Sequence, residues 1–146
     1  MLTLPPWFRN PEKRLQKRPK VHMVDPGILR SATGRRGPLT GAVYESAVVA
    51  EMYKQIRTQR LPWRRYHLRT QDGREVDLLL EGEHGFIAIE IKARDRVDGP
   101  EARRLVDVEA LLDRPLLGKW VVSEDADLRA LKPGVLALPA AWLLAP

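Results

Sequence analysis

Asp77, Glu90 and Lys92 sit inside two apolar strings, Val76-Asp77-Leu78-Leu79-Leu80 and Phe86-Ile87-Ala88-Ile89-Glu90-Ile91-Lys92. Such strings read as strands in the middle of a covered sheet, where an unpaired charge is costly or shifts its pKa. These charges therefore need partners. Two carboxylates on neighbouring strands can share a divalent cation, and Lys92, two residues beyond Glu90, points to the same face as Glu90. Phosphodiester hydrolysis asks for that set: a cation to neutralise the scissile phosphate, an activated water, and a donor for the charge that develops. In this reading Asp77 and Glu90 bind Mg²⁺ or Mn²⁺ with help from the Ile91 carbonyl. Lys92 orients the attacking water or stabilises developing charge. The competing reading is structural, with Asp77 and Lys92 paired across neighbouring strands and Glu90 paired with an arginine.

A third carboxylate comes from a helix predicted over residues 39–57. At 100° per residue, Tyr44, Val48, Val49, Met52, Tyr53, Ile56 and Ala42 fill one arc, and Glu45 falls inside it between Met52 and Ile56. A carboxylate on a core-facing stripe needs a base, a donor or a metal. Glu45 is therefore added to the candidate metal set, the alternative being a salt bridge to an arginine.

The elements that position these residues follow from local pattern. Strands are predicted over 64–70, 75–80 and 86–92, joined by Gln71-Asp72-Gly73-Arg74 and by a turn over 82–85, which makes a meander. A second helix is predicted over 99–112, then strands over 119–122 and 135–138 and a helical turn over 140–144. Trp120 and Trp142 lie in apolar segments and are expected in the core. Upstream, a short strand is predicted over 21–24, and Asp25-Pro26-Gly27 opens a short helix through Ala32. Residues 1–20 carry Pro5, Pro6, Pro11 and Pro19 among six basic residues and read as a basic, proline-rich arm with little core to offer. Residues 21–146 are then one α/β domain, helix, three strands, helix, strand.

The 146 residues hold 25 Lys+Arg against 19 Asp+Glu, a net charge of +6. The excess is concentrated. Lys54, Arg57, Arg60, Arg64, Arg65, Arg69 and Arg74 face a single acid, Asp72, with Trp63 and Tyr66 interleaved. Arginine forks suit phosphate oxygens and aromatic rings stack on unpaired bases, so DNA is the expected partner of Arg57, Arg60, Arg64, Arg65, Arg69 and Arg74. A solvated basic face over two core aromatics is the alternative. The absence of cysteine excludes thiolate zinc sites and cysteine nucleophiles. His22, His67 and His84 lack zinc-ligand spacing, and no serine has a Gly-x-Ser-x-Gly context. No apolar run is long enough to cross a bilayer, and a cytoplasmic location is expected.

The order of helix glutamate, hairpin, strand aspartate and Glu-x-Lys strand resembles the PD-(D/E)XK nuclease superfamily, whose members include restriction endonucleases and archaeal Holliday junction resolvases. The resemblance implies a restriction endonuclease-like αβββαβ core, a central mixed sheet flanked by helices. It also implies Mg²⁺-dependent DNA endonuclease activity with Glu45, Asp77, Glu90 and Lys92 on the motif positions. Val76 stands where the motif's proline would be. Over nearly the whole chain, Leu4-Pro5-Pro6-Trp7-Phe8-Arg9-Asn10, Lys13-Arg14-Leu15-Gln16-Lys17-Arg18-Pro19-Lys20-Val21, Asp25-Pro26-Gly27-Ile28-Leu29, residues 41–45 and Glu75-Val76-Asp77 resemble the C-terminal domain of prokaryotic AAA+ family ATPases. That similarity implies an ATPase module as partner, while the nuclease relatives imply a homodimer. The chain has no Gly-x-x-x-x-Gly-Lys-Ser/Thr and is not expected to hydrolyse ATP itself. The expectation from another class is a catalytically silent nucleic-acid-binding or protein-interaction domain.

Overall fold

The computed structural model describes residues 1–10, 18–34, 36–132 and 134–145. Pro11, Lys13, Arg14 and Lys17, with the part of the motif they contribute to, lie outside the described residues. Strands β1 (Leu2–Leu4) and β2 (Lys20–His22) form a small antiparallel sheet, with Leu4 opposite Lys20. Helix α1 (Pro26–Thr33) is capped by the Asp25 carboxylate, which accepts from the Gly27 and Ile28 amides. Helix α2 (Gly41–Thr58) buries Tyr44, Val48, Val49, Met52 and Ile56 of the expected arc, with Tyr53 half-buried and Ala42 exposed at the first turn.

Strands β3 (Arg64–Arg69), β4 (Glu75–Glu81) and β5 (Phe86–Lys92) form the expected antiparallel meander. Its second turn is tight. Gly85 has φ 152°, and a Cβ there would lie 2.1 Å from the Pro115 carbonyl oxygen, which accepts from the Phe86 amide at 2.8 Å. Only glycine meets both conditions. Strand β6 (Leu116–Ser123) runs parallel to β5, and β8 (Val135–Pro139) runs parallel to β6. Strand β7 (Arg129–Lys132), which the sequence pattern does not announce, closes the edge antiparallel to β8. The mixed six-stranded sheet has the order β3-β4-β5-β6-β8-β7.

The sheet is covered on both faces, which is why β4 and β5 are nearly continuous apolar runs. One face packs Leu78, Leu80, Ile89 and Ile91 against α2. The other packs Leu79, Phe86, Ala88 and Val121 against Leu105 and Val108. The segment over that second face corrects the expected helix over 99–112. It is one helical turn, α3 (Gly99–Ala102), followed by 3-10 turns at Arg103–Leu105 and Val108–Leu111. Asp107 sits at φ 59° and breaks the helix, while Arg74 donates to the Val106 carbonyl at 3.0 Å, taking an acceptor that a continued helix would use.

The N-terminal residues also depart from expectation. Leu2, Leu4 and Trp7 are buried, and Trp7 meets Phe86 edge-to-face with centroids 5.4 Å apart. The Trp7 amide donates to the His67 carbonyl at 2.8 Å and the His67 amide donates to Pro5 at 3.0 Å, so residues 5–7 extend the free edge of β3. An edge strand's unpaired amides are the force for this docking. Helix α4 (Ala140–Leu143) ends the chain with Trp142 62% exposed, against its expected place in the core. Among the described residues, no helix is long and apolar enough to cross a membrane.

Candidate active site

The ends of β4 and β5 and the start of α2 open on a cleft of about 390 Å³, lined by Lys20, Glu45, Glu75, Asp77, Lys92 and Arg104 among others. Asp77 is buried, and its Oδ2 accepts from the Ile91 amide at 2.9 Å, which fixes the carboxylate against β5. Glu90 is fully buried. Its Oε1 lies 2.7 Å from Lys92 Nζ and 3.2 Å from Arg104 Nη1, and its Oε2 has no hydrogen-bond donor among the described residues. Burial first, and then the charge of Asp77, push the Glu90 carboxyl up to about 7. Lys92 lines the cleft with a quarter of its side chain exposed, and its ammonium holds a buried acid.

Glu45 reaches the cleft from the first turns of α2. Burial and the nearby charge of Asp77 raise its carboxyl above the ordinary range. Its partner is Lys20, whose Nζ lies 2.6 Å from Glu45 Oε1, 2.9 Å from Glu75 Oε1 and 3.4 Å from Asp77 Oδ1. Burial works against the Lys20 charge. The bonds to Glu45 and Glu75 and the charge of Asp77 outweigh it, so the ammonium is held more firmly than in water. Beside it, burial and then Lys20's charge lower His22 to about 4, so this imidazole is neutral at physiological pH and bonds the Ser46 hydroxyl at 3.1 Å.

The four residues singled out from the sequence thus face one cleft or its buried wall, but they are split between two cations. Lys20 gathers Glu45, Glu75 and Asp77, while Lys92 and Arg104 hold Glu90. Glu90 pairs an arginine, as the structural reading expects, and it pairs Lys92 as well. Among the described residues no three of His, Cys, Asp and Glu come together as one metal-binding group. Mg²⁺ does not require three, since it commonly takes one or two carboxylates and keeps its waters. Asp77 on the cleft and Glu90 on the adjoining strand are the two carboxylates available to it, and neither Glu90 oxygen has a hydrogen-bond donor among the described residues.

Lys20, Glu75 and Arg104 were not read from the sequence. Glu75 had a signal, because Glu75 and Asp77 alternate on one strand face. Lys20 had none, being one base in a run of bases, and Arg104 is delivered only by the broken helix. The six arginines expected to bind DNA divide. Arg57, Arg60 and Arg65 line a second hollow with Trp63, Arg64 and Arg69 are exposed on β3, and Arg74 is bonded to the Val106 carbonyl.

Glu90 gives this arrangement a pH signature. A carboxyl raised from 4.5 to about 7 means that the folded chain holds a proton that the unfolded chain releases. Its stabilising contribution is full below pH 4.5 and is lost as pH rises through 7. Unfolding in urea at pH 5 and pH 8 is expected to show the parent losing up to about 3 kcal/mol more than Glu90→Gln across that interval. Equal losses in the two proteins would mean that Glu90 is charged throughout.

Residues 40–143 match the family described as Domain of unknown function (DUF4143). The chain is also similar to the uncharacterized protein Rv2008c of Mycobacterium tuberculosis and the uncharacterized protein Mb2031c of Mycobacterium bovis. Each is 31% identical over 148 residues, covering 97% of this chain and 32% of the relative. The chain therefore spans about a third of the length of these curated relatives. No solved structure matches it.

Proposed function

Because the chain belongs to the DUF4143 family of domains of unknown function, its chemistry has to be read from the cleft, and we propose that it is a Mg²⁺- or Mn²⁺-dependent DNA endonuclease of PD-(D/E)XK type. The observation that carries this reading is Glu90, a fully buried acid whose carboxyl is raised by burial and by the charge of Asp77 and which is ion-paired with Lys92 on the cleft. Perturbed acids held beside a partially exposed lysine are how proteins set up charge for catalysis.

Asp77 and Glu90 would hold the ion, which supplies charge neutralisation at the phosphate and a more acidic water. The chain's own residues do the rest. The Ile91 amide keeps Asp77 aimed at β5, and Arg104 shares the charge of Glu90, leaving Lys92 able to turn its ammonium toward a phosphate in the cleft. Water gives up a proton to solvent as it attacks phosphorus in line, a new P–O bond forms as the bond to the leaving sugar oxygen breaks, and that oxygen takes up a proton. Glu45 contributes a further acid whose raised pKa suits it to hold that proton or a water.

One observation favours a second reading, a silent nucleic-acid-binding or protein-interaction domain. The Lys20 ammonium already occupies the space among Glu45, Glu75 and Asp77 where a second cation would sit. In a silent domain, Asp77→Ala leaves DNA affinity unchanged and divalent cations do not bind. The resemblance to AAA+ ATPase C-terminal domains supports an ATPase module as a partner. A homodimer presenting two clefts is the arrangement that would cut both strands.

The deciding experiment is incubation of supercoiled and branched DNA with the chain and Mg²⁺ or Mn²⁺, alongside EDTA and Glu90→Ala. Metal-dependent cutting that Glu90→Ala abolishes is expected. DNA binding without cutting, equal in both proteins, would replace the nuclease reading with the silent one.

A further inference from the structure

At the far end of α2 from Glu45, Arg57, Arg60, Trp63 and Arg65 line a hollow of about 480 Å³. Twelve helical residues separate Glu45 from Arg57, so the hollow lies about 18 Å from the cleft along the helix. No carboxylate pairs with any of the three guanidinium groups among the described residues. Arg65 is the most constrained. Its guanidinium lies 4.2 Å from the Tyr53 ring centroid, and its Nε and Nη1 are buried with no hydrogen-bond acceptor. Burial weakens its proton affinity, and the charge of Arg57 weakens it further. Three guanidinium groups around one hollow, none with a carboxylate partner among the described residues, are an arrangement that a phosphate completes.

A cation at a helix C-terminus also favours the helix macrodipole, which accounts for Arg57. It does not account for Arg65 on β3, nor for Arg60. The helix ends with Leu61 N–H donating to the Ile56 carbonyl at 2.9 Å and Arg60 in the left-handed region at φ 54°. This is the helix-ending position that glycine usually fills, because a Cβ there is strained. An arginine at a strained position, where glycine would relieve the strain, points to use of its side chain. Trp63 is held in place as well. Its ring rests on Gly82, where an added Cβ would come within 2.6 Å of it.

We infer that this hollow is a phosphate-binding site, with Arg57, Arg60 and Arg65 as its forks and Trp63 as a wall for the attached base. The phosphate belongs either to a nucleic-acid strand, about five base-pair steps from the cleft at 3.4 Å each, or to a free nucleotide. Neither source requires the cleft to cut, so the site stands or falls apart from the nuclease activity.

The test is fluorescence anisotropy of labelled single-stranded and duplex oligonucleotides with the full chain in EDTA, titrated with salt, for the parent, Arg65→Gln and Arg60→Gly. AMP and inorganic phosphate serve as competitors. Each substitution is expected to weaken strand binding about tenfold and to lower the slope of log K against log salt by about one. Arg60→Gly is expected to lose binding while its Tm stays level or rises, a combination that a purely structural arginine would not give. Competition by AMP below millimolar concentration assigns the site to a free nucleotide, and its failure assigns it to a strand. Unchanged affinity and salt slope in both variants would overturn the inference.

Discussion

Lys92→Met is expected to slow metal-dependent DNA cleavage at least about 10²-fold while changing DNA affinity less than about twofold. Methionine keeps much of the length and apolar stem of lysine, so the wall of the cleft is kept. What goes is the ammonium 2.7 Å from Glu90 Oε1. Glu90 is then left with Arg104 at 3.2 Å, on a side chain that is half exposed. With its nearer cation removed, a carboxyl already at about 7 moves higher. Residual activity should therefore reach its maximum at higher pH than in the parent, where Glu90 is again ionised. Single-turnover rates across pH 6 to 9 measure both effects, and Lys92→Arg should recover part of the rate. Cleavage by Lys92→Met at the parental rate and with the parental pH profile would place the chemistry elsewhere.

The second expected result concerns Lys20→Ala, which removes the cation shared by Glu45, Glu75 and Asp77. The Lys20 side chain is about a quarter exposed, so the loss lies between that of a surface pair and a buried one, about 2 kcal/mol at pH 7. The sign with pH follows from the groups involved. Lys20's own contribution, from a raised pKa, is fully present at neutral pH and is lost only as pH rises through its folded pKa. Once it is gone, three acids repel one another in the folded state and take up protons readily, so the variant should recover toward the parent as pH falls into the carboxylate range. The same vacancy should favour a divalent cation. Thermal unfolding with and without Mg²⁺ is expected to show a larger cation-dependent rise in Tm for Lys20→Ala than for the parent. No gain over the parent would mean that the three carboxylates hold only the lysine.

Much of the site was legible locally. Alternation placed Asp77, Glu90 and Lys92 on adjoining strands, and the Asp72-Gly73 and Gly82–Gly85 turns, which the hydrogen bonds at Thr70, Arg74 and Gly82 confirm, set them in a meander. The wheel of α2 placed Glu45 on the packed face. Each of these signals repeats within a few residues, which is why a linear reading can find it. The same reading failed where a partner from far along the chain prevails. A helix-like pattern over 99–112 lost to Arg74, which takes the Val106 carbonyl from 32 residues away. The exposed Trp142 and the late strand β7 belong to the same class, since packing at the end of a sheet leaves little periodic trace.

The sequence alone therefore determined the three-strand frame, the two-sided covering of the sheet and the identity of four acidic and basic residues at its end. Tertiary structure decided which cation each acid meets. Lys20 reaches Glu45 and Asp77 because β2 pairs with β1, setting Lys20 opposite Leu4, and because residues 5–7 then dock on the edge of β3. Arg104 reaches Glu90 because the second helix breaks after one turn. Both depend on hydrogen bonds between residues far apart in the chain, whose geometry exists only once the sheet has formed.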